Sequence, residues 1–162
     1  MRYVLPFLLV VLVALAVPQP ASSKPAPEPW ATVNVCDTET RPNQIGIRGS
    51  MPGLSRKLRL LMRFRVQYRN SEGRWRLLRT GADSGWRSVG MGRRGEYDAG
   101  WTFEFKPPAA GGAHVLRGAV TYEWRRIKGR VVRRERRVTE AGHPGTAGAE
   151  PADFSAATCS IA

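Results

Sequence analysis

Apolar and polar residues alternate along most of the chain, and the longest alternation runs through residues 58–68. Leucine, methionine, phenylalanine, valine and tyrosine fill the even positions, whereas arginine and glutamine fill most of the odd ones. Side chains repeat every two residues in a β-strand but every three or four on one face of a helix. This segment is therefore predicted to form a long strand with one buried face.

Weaker versions of the same pattern predict the remaining strands. The predicted segments are residues 30–36, 44–50, 74–78, 86–89, 101–105, 116–125, 130–139 and 154–161. Turns are expected at Asn70-Ser71-Glu72-Gly73 and at Lys128-Gly129, which are rich in turn-forming residues. The glycine-rich stretch from Gly90 to Gly100 and residues 141–151 are predicted to be loops.

About eight short strands without a helical period predict an all-β fold. We expect a single antiparallel β-sandwich of immunoglobulin-like type over residues 30–162. A small β-barrel is the alternative, because periodicity alone does not define strand order. On the inward faces, the pattern places the following aromatic residues in the core: Trp101, Phe103, Phe105, Tyr122 and Trp124.

The N-terminal residues have the features of an export signal. Arg2 precedes an apolar run at residues 4–17, and Ala21-Ser22-Ser23 supplies the small residues that a signal peptidase needs. Residues 1–23 are predicted to be a signal peptide and the proline-rich residues 24–29 a linker. The mature protein is therefore expected to be secreted, with no transmembrane segment.

Cys36 and Cys159 are the only cysteines and lie near the two ends of the predicted domain. In an oxidising compartment such a pair is predicted to form a disulfide. A bridge that closes a loop of about 120 residues would stabilise the fold by roughly 4 to 5 kcal/mol in the chain-entropy model. It would join the first strand to the last.

The sequence lacks the residue sets of common catalytic and metal sites. The two histidines, His114 and His143, are interpreted as surface residues, and no nucleophile elbow or zinc-binding spacing occurs. The carboxylate pairs Asp37 with Glu39 and Glu96 with Asp98 are interpreted as loop and turn residues. We therefore expect no enzyme activity, no metal and no cofactor. An enzyme that uses Glu104 or the loop carboxylates would need two of them across one cleft.

Positive charge is the strongest remaining signal. The chain has 26 lysines and arginines against 13 aspartates and glutamates, a net charge of +13. If the arginine-rich strands share a sheet, their side chains could form one patch that attracts an anionic polymer or envelope surface. The candidate polyanion-binding residues are Arg59, Arg63, Arg65, Arg125, Arg133, Arg134, Arg136 and Arg137. A solvated face, partly neutralised by Glu123 and Glu135, is the alternative.

The exported leader, a first strand ending in Cys36, long strands holding Tyr68 and Tyr122-Glu123-Trp124, and the terminal Cys159 form a recognisable arrangement. It resembles small secreted bacterial proteins with an immunoglobulin-like or fibronectin type III-like sandwich. The resemblance implies adhesion, ligand display or scaffolding. We expect a secreted, non-enzymatic protein that binds an anionic polymer. The alternative is a module that binds a protein partner through loops such as Gly81 to Gly95.

Overall fold

The computed structural model describes residues 27–109 and 111–162, which contain nine β-strands. The predicted signal peptide and residues 24–26 of the predicted linker lie outside these ranges. The strands are β1 (Trp30–Cys36), β2 (Gln44–Pro52), β3 (Leu58–Arg69), β4 (Trp75–Leu77), β5 (Asp83–Met91), β6 (Glu96–Glu104), β7 (His114–Arg126), β8 (Val131–Val138) and β9 (Cys159–Ile161). Within the described ranges, no helix has the length and apolar character needed to cross a membrane.

The strands form two antiparallel sheets. The smaller sheet has the order β1-β2-β6, and the larger has the order β4-β3-β7-β8, with β5 also paired to β3 and β9 to β7. The two sheets pack face to face and do not close into a barrel, so the prediction of a β-sandwich is confirmed and the barrel alternative is wrong. Strands β3 and β7 are the longest and form the centre of the larger sheet.

The core lies between the two sheets and follows the alternation in the sequence. Four even-numbered residues of β3 are fully buried and share one core cluster with Ile45 and Ile47 of β2, namely Leu60, Met62, Phe64 and Val66. Trp124 is also fully buried, and its indole Nε1–H donates to the carbonyl oxygen of Pro52 at 2.8 Å. The core placement of Phe103, Tyr122 and Trp124 is confirmed, whereas Trp101 and Phe105 pack at the core edge and stay half-buried.

The glycine-rich region after Gly81 is more ordered than its composition predicts. Residues 83–91 form β5, and β6 begins at Glu96, so most of the predicted loop is strand. Gly90 has a φ of 143°, and the pairing of β5 with β3 shifts register there. A Cβ at this position would lie 3.0 Å from the Tyr97 ring. Glycine therefore permits a bulge within the strand rather than ending it.

The predicted disulfide is present and joins the end of β1 to β9. The Cα atoms of Cys36 and Cys159 are 5.3 Å apart. The segment between β8 and β9, predicted to include a loop and a longer strand, instead packs along β1. Ala156 exchanges backbone hydrogen bonds with Val33, and the Glu150 amide donates to the Asn34 carbonyl. A disulfide is typical of proteins in oxidising, extracellular-type compartments.

Candidate cationic site

The solvent-facing side of the larger sheet, called the outer face below, is formed by the odd-numbered residues of β3 and β7 and by residues paired with them. Arg63 is opposite Thr121, which is opposite Arg136 on β8. Residues directly opposite each other on antiparallel strands project to the same side of the sheet. The pairing therefore brings the following predicted residues to the outer face: Arg59, Arg63, Arg65, Arg125, Arg134 and Arg136.

Arg133 and Arg137 project to the opposite side of the same sheet. They are paired with the core residues Trp124 and Val120, and the Arg133 guanidinium lies 4.8 Å from the Trp124 ring centroid. Arg137 donates to the Pro29 carbonyl at 3.0 Å. These two residues therefore do not lie on the outer face with the other six. Successive side chains on β8 alternate between the two faces.

The outer face contains a concave region of about 500 Å³. Its lining consists of four arginines, one tryptophan, one threonine and one glutamate, namely Arg63, Arg65, Trp86, Thr121, Arg134, Glu135 and Arg136. Thr121, a short and buried residue of β7, lies between Arg63 of β3 and Arg136 of β8, and the buried Ala119 lies beside Arg65. Long side chains on both sides of short ones therefore produce the concave shape.

Asp83 neutralises part of this charge. Its carboxylate accepts the Arg63 Nε–H, with Nε to Oδ1 at 2.8 Å, and also forms a salt bridge with Arg63 Nη2. This hydrogen bond lowers the pKa of Asp83 and raises that of Arg63. The pair holds the Arg63 guanidinium in place, so Arg63 lies at the site with its charge compensated.

Glu123 is a buried carboxylate beneath the outer face. It is 0% exposed, and it accepts hydrogen bonds from Arg125 through one oxygen and from Arg134 Nε, at 2.6 Å, through the other. The Arg134 side chain remains 61% exposed. The sequence predicts Glu123 on a solvated face, but the two arginines cover it. The carboxylate therefore holds two guanidiniums on the sheet.

Comparison of the chain with protein-family models, curated proteins and solved structures finds no match. The described architecture is that of two packed antiparallel sheets, and this is the level at which the expected immunoglobulin-like resemblance is supported. Chemical interpretation of the site therefore depends on its own residues.

Two tryptophans lie on the outer face beside arginines. Trp86 has the guanidinium carbons of Arg63 and Arg125 at 6.0 Å and 4.9 Å from its ring centroid. Arg117 lies 4.3 Å from the centroid of the Trp75 ring. Such contacts stabilise a guanidinium by roughly 0.5 to 2 kcal/mol. The strand pairing that brings Trp86 beside these arginines is not visible in the local sequence pattern.

Arg117 was not among the predicted site residues, although it lies on the outer face of β7. Its Nε donates to Gln67 Oε1 at 2.9 Å. Its odd-numbered position in β7, which it shares with Arg125, is the sequence signal that could have identified it. Burial and the neighbouring Arg136 lower the pKa of Arg117. Burial, Arg136 and Arg63 lower the pKa of Arg65, and Asp83, which is opposite it on β5, offsets part of this effect. Positive charge is therefore crowded at this end of the face.

The predicted catalytic and metal-binding alternatives do not converge. Asp37 Oδ1 accepts the Asn43 amide at 2.7 Å, which confirms its interpretation as a turn residue, whereas Glu96 and Asp98 lie on β6 rather than in a loop. His143 stacks on Trp30, with ring centroids 4.2 Å apart. Within the described residues, no group of three metal-ligating side chains occurs. Among the described residues that line the concave region, Glu135 is the one carboxylate.

A second cavity, of about 420 Å³, lies among apolar side chains at the end of β3. Tyr68, Leu78, Phe105 and Leu116 line it, with Lys106 and His114 beside them. Its lining is largely apolar, in contrast to the arginine-lined outer face. It therefore differs in chemistry from the cationic site.

Proposed function

We propose that this protein is secreted, is not an enzyme, and binds an anionic envelope or extracellular polymer on the outer face of its larger sheet. The observation that carries the proposal is the concave surface lined by Arg63, Arg65, Arg134 and Arg136. Guanidinium groups form planar, bidentate hydrogen bonds with anionic groups. The disulfide and the predicted signal peptide support an extracellular location.

The charge distribution supports a long, flexible anion more than a small ligand. The arginines extend along β3, β7 and β8 rather than surrounding an enclosed pocket. A polyanion that contacts several of them releases condensed counterions, which gives an affinity that falls steeply with salt. The immunoglobulin-like resemblance supports the same type of function, in which a rigid sandwich displays a binding surface.

Salt-gradient elution from immobilised heparin tests the proposal. The variant R59Q/R65Q/R136Q removes three outer-face charges without breaking any of the ion pairs described above. The matched control R56Q/R93Q/R94Q removes three exposed arginines at one end of the sandwich. We expect the outer-face variant to elute at lower salt, with a slope of log Kd against log salt that is smaller by about three. Circular dichroism should show the same β-sheet spectrum for all three proteins.

Equal elution of the two variants would contradict the proposal, because total charge would then determine retention. The alternative function, binding of a protein partner, predicts retention on that partner that persists at high salt. Its expected surface, the loops from Gly81 to Gly95, is largely replaced by β5. The outer face is therefore the better supported binding surface.

A further inference from the structure

Apart from Arg59, which lies opposite Arg125 near the start of β3, the arginines of the outer face fall into a compensated group and an uncompensated group. Arg63 is paired with Asp83, and Arg125 and Arg134 share Glu123. No salt bridge between described residues includes Arg65, Arg117 or Arg136. The second group therefore has its charge available for a ligand.

The strand register brings the uncompensated arginines toward one small area. Arg65 is opposite Ala119, Arg136 is opposite Thr121, and Arg117 lies two residues before Ala119 on β7. Ala119 is fully buried and presents only a methyl group between the longer side chains. Arg65 and Arg117 thus lie beside Ala119, and Arg136 lies two residues before Val138, the β8 residue opposite Ala119.

A hydrogen-bond donor at this place lacks an acceptor. The Nε atom of Arg65 is buried and has no hydrogen-bond partner among the described residues. Buried donors in folded proteins are normally satisfied, and one at a cationic surface is suited to an oxygen of a ligand. Mutual repulsion with Arg136 also lowers the pKa values of Arg65 and Arg117, after the larger effect of burial. A bound anion would relieve that repulsion.

We infer that Arg65, Arg117 and Arg136 form a subsite for a tetrahedral oxyanion, namely a sulfate or phosphate ester carried by the bound polymer. This inference rests on the proposed function, which it makes more specific. The carboxylates of the same face show how many guanidiniums a group with two oxygens binds. Asp83 holds one guanidinium, and Glu123 holds one with each of its two oxygens. Three convergent guanidiniums require the additional oxygens of a sulfate or phosphate group.

The first experiment follows the arginine Nε–Hε signals by NMR during titration of the full protein with sodium sulfate, sodium phosphate or sodium acetate at matched ionic strength. We expect saturable shifts at Arg65, Arg117 and Arg136 with sulfate or phosphate and only small shifts with acetate. R136Q should remove the response at Arg65 and Arg117, whereas the exposed-loop control R93Q should retain it. Equal responses to acetate, or an undiminished response in R136Q, would overturn the subsite.

The second experiment identifies the ester. Affinities of the wild type and R136Q are measured for heparin, which carries sulfate, for polyphosphate, and for polygalacturonate, which carries carboxylate. R136Q should weaken binding by about tenfold for the polymer whose ester the subsite accepts, because a charge-assisted contact is lost. A loss on heparin alone assigns sulfate, a loss on polyphosphate alone assigns phosphate, and a loss on both assigns the shared chemistry. An equal loss on polygalacturonate would overturn the selectivity.

Different results would show that the subsite is wrong and that the proposed function is wrong. If R59Q/R65Q/R136Q weakens retention on heparin but the arginine signals respond to no tetrahedral anion, the subsite is wrong and the outer face remains the binding surface. If that variant and its control R56Q/R93Q/R94Q elute together, the proposed function itself is wrong.

Discussion

Glu123 offers the sharpest test of how the outer face is built, because its replacement should change stability and binding in opposite directions. Glu123→Gln keeps the size of the side chain and removes the buried negative charge. Arg125 and Arg134 then lose their common partner. The protein should become less stable, and its outer face should become more positive.

The expected loss of stability follows from the burial of the three side chains. Removing one member of a fully buried ion pair costs about 3–5 kcal/mol, whereas an exposed pair contributes about 1 kcal/mol or less. Glu123 is completely buried, but Arg125 and Arg134 are 27% and 61% exposed. Because both guanidiniums can turn to water, we expect Glu123→Gln to lower the free energy of unfolding by about 1–3 kcal/mol.

The matched control is Glu28→Gln, which removes a carboxylate that does not line the concave region. Glu28 is 74% exposed and pairs with Arg137 on the other side of the sheet. Its replacement makes the same change in net charge but frees no outer-face arginine. We expect a stability loss of about 1 kcal/mol or less.

Urea denaturation and heparin elution together provide the assay. Glu123→Gln should unfold at lower urea and elute at higher salt than the wild type, and its elution shift should exceed that of Glu28→Gln. Elution of Glu123→Gln before the wild type, with an unchanged circular dichroism spectrum, would refute the reasoning. So would equal elution shifts for the two variants.

Three further predictions concern the fold that supports the site. Cys36→Ser/Cys159→Ser should lower the free energy of unfolding by about 4 to 5 kcal/mol in urea denaturation, because the bridge closes a loop of 123 residues, and an unchanged midpoint would contradict this. Trp124→Phe removes the donor to the Pro52 carbonyl and leaves a cavity in the core, so a loss of about 2–4 kcal/mol is expected in the same measurement. For Asp83, the hydrogen bond from Arg63 lowers the folded-state pKa below the ordinary 3.8, so its contribution to stability is present above that pH and is lost as the pH falls through the lowered pKa. The wild type should therefore be more stable than Asp83→Asn at about pH 7, and the difference should shrink as the pH falls below 3.8; a difference that stays constant from neutral to acid pH would contradict the prediction.

Local patterns in the sequence were sufficient for the architecture. The alternation through β3 placed Leu60, Met62, Phe64 and Val66 on one buried face, and the structure confirms each of them. Alternation works there because one side of the strand meets a core and the other does not. The same logic failed on β8, where charged residues occupy both faces, and the opposite placement of Arg133 and Arg134 was missed.

Features that depend on residues distant in sequence were not predictable from local pattern. Glu123 appears on the polar side of its strand, yet Arg134 on the next strand covers it. Residues 141–151 have a loop composition, but their hydrogen-bonding partners, including Asn34, lie on β1. Strand register determines both outcomes, and register depends on the packing of the whole domain.

Titration with a heparin oligosaccharide at low salt, followed by the tryptophan indole N–H signals, tests the outer face most directly. Trp86 lines the concave region of the outer face. Trp101 lies at the core edge beneath Arg87, and Trp124 is fully buried. We expect the Trp86 signal to shift saturably while those of Trp101 and Trp124 stay within a small fraction of that change. A saturable shift at Trp101 with an unchanged Trp86 signal would contradict binding at the outer face.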